Sequence, residues 1–188
     1  MNWLNTFAIL LVAFLAVFVE SYFRGLRNLL GAQIDLLPAL MVYASLSASL
    51  STVALLATLG GLWFDSLSAN PLGITVLPLF VIGFLTHYSR DLILREQLYA
   101  QFMLGLAASA AAPLFIVLAL IGAGAEPLLS WRSLWQWLVM AVGGAASTPV
   151  LFYLFDRFIR AFSYRPRPEI SFRPDREIKR DRGPHVDY

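Results

Sequence analysis

The chain has 188 residues, of which 59% are hydrophobic and only 14% are charged, and its formal net charge is +2. Soluble domains are usually about half apolar and about a quarter charged, and a chain of this size has too much surface to bury such an apolar excess in water. Composition therefore excludes an ordinary water-soluble domain and predicts an integral membrane protein. Cysteine is absent, which excludes disulfides, thiolate metal sites and cysteine nucleophiles.

Uncharged apolar runs indicate the membrane spans, since a helix needs about 20 mainly apolar residues to cross. The second run, residues 36–64, is too long for one comfortable span and too short for two ordinary ones. Its middle, SLSASLST, is rich in hydroxyls that can satisfy backbone groups at a turn, so a short helical hairpin is favoured over a single long helix. The sequence predicts an all-α polytopic membrane protein with about six transmembrane helices in a compact bundle. The expected spans are residues 3–23, 35–49, 51–65, 72–89, 99–122 and 133–155.

Orientation follows from the positive-inside rule. Nine of the 14 Lys/Arg residues lie from Arg157 onward, so the C-terminus of this multi-pass membrane protein is predicted to be cytoplasmic. Six spans also place the N-terminus inside and put Arg90 and Arg95 in a cytoplasmic loop, whereas Arg24 and Arg27 then violate the rule. A five-span arrangement would reverse the N-terminal half, and charge alone leaves both counts open.

The last part of the chain differs from the rest. Residues 1–160 are predicted to form the membrane domain and residues 161–188 a basic, disordered cytoplasmic tail, because the tail is mixed in charge and has no apolar period. Its arginines are expected to be attracted to anionic lipids, which makes it a topological anchor; a docking tail for a cytoplasmic protein is the alternative. Nucleic-acid binding is not expected, because acidic residues dilute the basic field.

Ionisable side chains inside spans would suggest catalysis or transport, because burying them is costly. Asp65 ends an apolar run with no second acid or histidine nearby, so it is predicted to cap or turn the chain. His87 has no other ligand-forming side chain within helical reach inside its span, so a metal site is not predicted. No phosphate-binding glycine loop or Ser/His/acid set can be assembled. The chain is therefore expected to be no enzyme and to need no cofactor.

Small and aromatic residues suggest how the helices pack. Gly105/Ser109 and Gly143/Ser147 are pairs of small residues four apart, which allow close helix contact. Packing within the chain is favoured over a groove for a partner helix. The start of the last span is flanked by aromatic residues typical of the membrane interface, namely Trp131, Trp135 and Trp137.

Residues 33–85 carry a recognisable pattern. An Asp precedes a short apolar hairpin, the motif G-x-x-x-D-x-x-S-x-x-P-x-G follows, and an apolar span ends in Gly-Phe-Leu at residues 83–85. The motif residues are Asp35, Gly61, Asp65, Ser68, Pro71 and Gly73. This pattern resembles the rod shape-determining protein MreD family, and VESYF at residues 19–23 is similar in kind.

The resemblance implies a six-span bundle similar to the substrate-binding subunits of energy-coupling-factor vitamin transporters, and it favours the hairpin. It also implies that the chain binds an MreC-like protein and, through it, MreB, RodA and the transpeptidase partner of RodA. The expected function is a non-catalytic scaffold subunit of the bacterial cell-wall elongation complex. The alternative is a small-molecule (vitamin) binding subunit of a membrane transporter, which would need a polar pocket.

Overall fold

The computed structural model describes residues 3–22, 31–68, 71–90, 97–124 and 130–162. These residues contain helices and no strands. The helices are α1 (Trp3–Tyr22), α2 (Leu37–Ser47), α3 (Leu50–Leu67), α4 (Val76–Tyr88), α5 (Leu98–Gly122) and α6 (Trp131–Phe162). The predicted tail from residue 163 onward lies outside the described residues, as do Arg24, Arg27 and Arg95.

Four helices are long and apolar enough to cross a membrane: α1, α3, α5 and α6. Together they indicate a membrane protein. Helices α2 and α4 are also apolar but have 11 and 13 residues, and at 1.5 Å per residue they reach about 16 and 20 Å. The hydrocarbon core is about 30 Å thick. Four of the described helices are therefore long enough to cross a membrane. The count of about six spans stays a prediction.

The long apolar run at residues 36–64 is divided between α2 and α3. Ala48 is extended after α2, and Ser49 is extended immediately before α3. The Ser49 hydroxyl is hydrogen-bonded to the hydroxyls of Ser51 (2.9 Å) and Thr52 (3.1 Å). The Ser49 carbonyl accepts the first hydrogen bonds of α3. The chain thus turns inside its hydroxyl-rich segment, where side chains supply partners that the interrupted helix cannot.

Helix α2 lies at the centre of the fold. Nine consecutive residues, Leu37 to Ser45, are buried, and a helix that is apolar all round requires neighbours on every side. It contacts each of the other helices. Tyr43 stacks on Phe155 of α6 with ring centroids 4.3 Å apart and meets Phe152 edge-on at 5.0 Å. The core is therefore built around a short buried helix rather than around one of the long ones.

Hydrogen bonds between helices give their directions. Thr6 of α1 is 3.0 Å from Thr52 near the start of α3, and the ring of Phe14 packs edge-on against Trp63. Helices α1 and α3 therefore run parallel. His87, near the end of α4, lies 2.8 Å from the Ser45 carbonyl at the end of α2. The hairpin turn, the beginning of α1 and the end of α4 thus lie at one end of the bundle.

Helices α5 and α6 form the closest contact in the described chain. An ideal Cβ added at Gly105 would lie 2.7 Å from Thr148 Cβ and 2.8 Å from the Gly144 carbonyl oxygen. A Cβ at Gly144 would overlap the Ser109 side chain. The predicted contact through Gly105 and Ser109 is confirmed as packing within the chain. Small residues there let the two backbones approach, as in other membrane helix pairs.

On α6, the close contact with α5 lies one position away from the predicted small-residue pair Gly143/Ser147, and Gly143 packs elsewhere within the chain. The residues facing α5 are Gly144 and Thr148, whereas an added Cβ at Gly143 would lie 2.8 Å from Ile34 in the segment before α2. The Ser147 hydroxyl bonds to the Gly144 carbonyl within α6. With two glycines in a row, either of two helix faces could pack closely against α5. The positions of the neighbouring segments determine which glycine makes that contact.

Candidate interaction site

Asp65 lies in the last turn of α3 and is only 1% exposed. One carboxylate oxygen, Oδ2, accepts the N–H groups of Gly73 (2.8 Å) and Thr75 (3.1 Å), and the other, Oδ1, accepts the Thr75 hydroxyl. A buried carboxylate is stable only when hydrogen-bonded. Asp65 meets that requirement by joining the end of α3 to the residues just before α4.

The turn between these helices has a defined geometry. Ser68 is extended after α3, and its N–H bonds to the Phe64 carbonyl at 3.0 Å. The Pro71 carbonyl accepts the Ile74 N–H at 3.3 Å, and Gly73 has a φ of +90°. That φ is unfavourable for residues with a side chain. Helix α4 begins at Val76, later than the span expected from residue 72, because Gly73 at this φ cannot continue a right-handed helix.

Gly61 completes the contact between α3 and α4. A Cβ there would lie 2.9 Å from Val76 Cγ2 and 3.0 Å from the Val76 backbone nitrogen and Cα. The absence of a side chain lets the first residue of α4 rest against α3. Five residues of the predicted motif thus belong to one interhelical junction: Gly61, Asp65, Ser68, Pro71 and Gly73. Thr75 also belongs to it and was not predicted from the sequence.

We expect Gly61→Ala to lower the free energy of unfolding by about 1–2 kcal/mol, because a methyl group would press on backbone atoms that cannot rotate away. Gly60→Ala is the matched control. Its methyl would meet Leu37 Cδ2, at 3.3 Å, and the gain in helix propensity of up to about 1 kcal/mol offsets that contact. Thermal unfolding in detergent measures both. Equal midpoints for the two variants would contradict the assigned contact.

Asp35 does not join the Asp65 junction. It is 3% exposed, and its Oδ1 accepts the Leu37 N–H at 2.9 Å at the start of α2. Glu20, near the end of α1, accepts the Leu36 N–H through Oε1 at 2.8 Å. Both carboxyl groups therefore serve backbone donors that lack partners within α2, where the helix dipole also favours negative charge. Asp35 and Glu20 are structural caps for the central helix.

Glu20 was missed as a contact residue. Arg24, the nearest base in the sequence, lies outside the described residues. The segment VESYFR, residues 19–24, places an acid four residues before a base at the end of an apolar run. Its bond to Leu36, however, spans 16 residues of sequence, and no local pattern predicts it.

His87 has a structural contact as well. Its Nδ1 lies 2.8 Å from the Ser45 carbonyl, and its Nε2 lies 3.4 Å from Arg90 Nη1. A carbonyl only accepts, so Nδ1 carries the proton and Nε2 can accept from Arg90. The histidine fixes the end of α4 to the last turn of α2. Within the described ranges, no three His, Asp or Glu side chains gather as a metal site would need.

The arrangement around Asp65 can hold α3 and α4 in a fixed relative orientation. The two Asp65 carboxylate oxygens accept hydrogen bonds from backbone and hydroxyl donors.

No family model matches this chain, and no curated protein and no solved structure matches it either.

Proposed function

We propose that this chain is a non-catalytic scaffold subunit of the bacterial cell-wall elongation complex, similar to MreD, and that it binds an MreC-like membrane protein. The observation that carries the proposal is the Asp65 junction. Five residues that bear the resemblance meet in one junction: Asp65, Ser68, Pro71 and Gly73 form a hydrogen-bonded turn between two helices, and Gly61 packs against the start of α4. A motif used to fix helices, rather than to present reactive groups, supports a scaffold role.

The fixed helices carry apolar surface that a partner's span could use. Phe14 stacks on Phe18, and Phe18 on Tyr22, each with centroids 6.3 Å apart along α1. On α4, Phe80 and Phe84 stack in the same way. All of these side chains are exposed. Between membrane helices, affinity comes from packing of matched surfaces, and a rigid junction between α3 and α4 keeps the α4 surface in a constant orientation.

Other parts of the proposal come from the sequence. The protein is assigned to the bacterial inner membrane with both termini cytoplasmic, and MreB, RodA and the transpeptidase partner of RodA are reached through the MreC-like protein. The basic tail is assigned to the anionic cytoplasmic leaflet.

The test is depletion of the chain in its native bacterium, with cell shape and copurifying membrane proteins as the two measurements. We expect rod-shaped cells to become round, and the MreC-like protein to be recovered with tagged wild-type chain. Re-expression of the wild-type chain is the control and should restore rods. Rods that persist after depletion, together with no elongation protein in the purified complex, would overturn the proposal. A stoichiometric small molecule in the purified protein would instead favour the transporter alternative.

A further inference from the structure

An apolar groove lies between α5 and α6, with a volume of about 700 Å³. That size is within the range of ligand sites. Its walls are mainly aliphatic and aromatic side chains: Pro113, Leu114 and Val117 from α5, and Leu134, Trp137 and Met140 from α6.

The groove has a clear structural origin. The two helices touch closely at Gly105 and Gly144. One turn beyond Ser109, Pro113 interrupts the α5 hydrogen-bond ladder, because proline has no N–H. The Trp137 indole N–H donates to the Ala110 carbonyl at 2.7 Å, which holds the ring between the helices. From this point both helices carry large side chains at their contact, which keep the two backbones apart. A space that neither helix fills is left between them.

A second, more polar pocket of about 430 Å³ adjoins the groove. The two share Ser133 and Gln136, and the polar pocket is also lined by Arg132 and Trp135. Arg132 is exposed at the beginning of α6. Tryptophans beside it, including Trp131 at 84% exposure, are typical of the level of lipid headgroups. The apolar groove thus opens at one end into a pocket that offers a positive charge and hydrogen-bonding groups.

We propose that this composite site binds an anionic phospholipid of the surrounding bilayer, with an acyl chain in the α5/α6 groove and the phosphate at Arg132. The shape and charge match that ligand: hydrocarbon contacts hydrocarbon along the groove, and a guanidinium can donate two hydrogen bonds to a phosphate. Ser133 and Gln136 lie at the junction of the pockets, where the glycerol ester groups of the lipid would lie. The site is separate from the Asp65 junction and does not depend on the proposed scaffold function.

The experiment uses the full chain in vesicles of equal parts phosphatidylethanolamine and phosphatidylglycerol. After mild detergent extraction, native mass spectrometry measures the ratio of the two lipids that remain bound. We expect phosphatidylglycerol to be enriched in the wild-type protein. Arg132→Gln should lower that enrichment about fivefold, the effect of one arginine near an anionic headgroup. Met140→Trp, which fills the groove, should lower the enrichment at least as much as Arg132→Gln does.

Arg157→Gln is the matched control, because it removes the same charge from an exposed position near the other end of α6, and it should leave the enrichment unchanged. Quenching of tryptophan fluorescence by brominated phosphatidylglycerol provides a second measurement that does not depend on a groove-filling variant. Quenching should exceed that by brominated phosphatidylethanolamine, and Arg132→Gln should remove the difference. Equal retention of both lipids by the wild-type protein, or an equal loss of enrichment with Arg157→Gln, would overturn the proposal.

Discussion

Gly144→Leu is expected to force α5 away from α6 and to lower the free energy of unfolding by about 3 kcal/mol. A side chain at this position would overlap Ser109, which is itself buried against α6. Membrane helices gain little from apolar burial because lipid is equally apolar, so loss of close packing is not offset. Reversible unfolding in mixed detergent micelles measures the difference.

Gly122→Leu is the control for that variant. Gly122 is the last residue of α5, and an added Cβ there meets nothing within 4 Å, so the change should stay within about 0.5 kcal/mol. A stable Gly144→Leu protein with unchanged unfolding would show that the two helices do not meet at this residue.

Asp65→Ala is expected to lower the free energy of unfolding by about 3 kcal/mol and to weaken recovery of the MreC-like partner. The substitution removes both acceptors for Gly73 N–H, Thr75 N–H and the Thr75 hydroxyl. Each buried donor left without a partner costs about 1–3 kcal/mol. The start of α4 would then lose its attachment to α3. Unfolding in detergent and copurification from membranes measure the two consequences separately.

Two further variants make the Asp65 test specific. Ser66→Ala alters the neighbouring exposed residue, whose hydroxyl bonds to the Trp63 carbonyl of its own helix, and it should change neither measurement. Gly73→Leu leaves Asp65 in place but forces a side chain onto a φ of +90°, at a cost of about 1–3 kcal/mol, and should resemble Asp65→Ala. Undiminished partner recovery with both Asp65→Ala and Gly73→Leu would contradict the link between the junction and assembly.

The central position of α2 explains how so short a helix can exist in a membrane protein. Backbone groups beyond its ends cannot be left facing hydrocarbon, and irregular backbone at membrane depth is tolerated only where protein or a polar cavity surrounds it. Glu20 and Asp35 bond to the N–H groups at its beginning, and His87 bonds to the Ser45 carbonyl near its end. Glu20, Asp35 and His87 thus satisfy backbone groups at the two ends of α2.

Some of this organisation could be read from the sequence. Apolar excess requires lipid as a solvent, charge-free runs locate the long helices, and a hydroxyl-rich stretch marks the turn between α2 and α3. The position of Asp65 at the end of an apolar run also predicted a cap or turn there, and the resemblance grouped it with Gly61 and Gly73. These are local or compositional properties.

Contacts between distant segments were decided only by the tertiary structure. The side of α6 that faces α5 depends on Ile34 occupying the space beside Gly143. The sequence alone gives no reason for Gly144, rather than Gly143, to face α5. Glu20 bonds to Leu36 and His87 to Ser45 across 16 and 42 residues. Such pairs form when packing brings helix ends together. Every residue has a backbone carbonyl, and nearly every residue has an N–H, so the sequence does not indicate which of these groups a given side chain will bind.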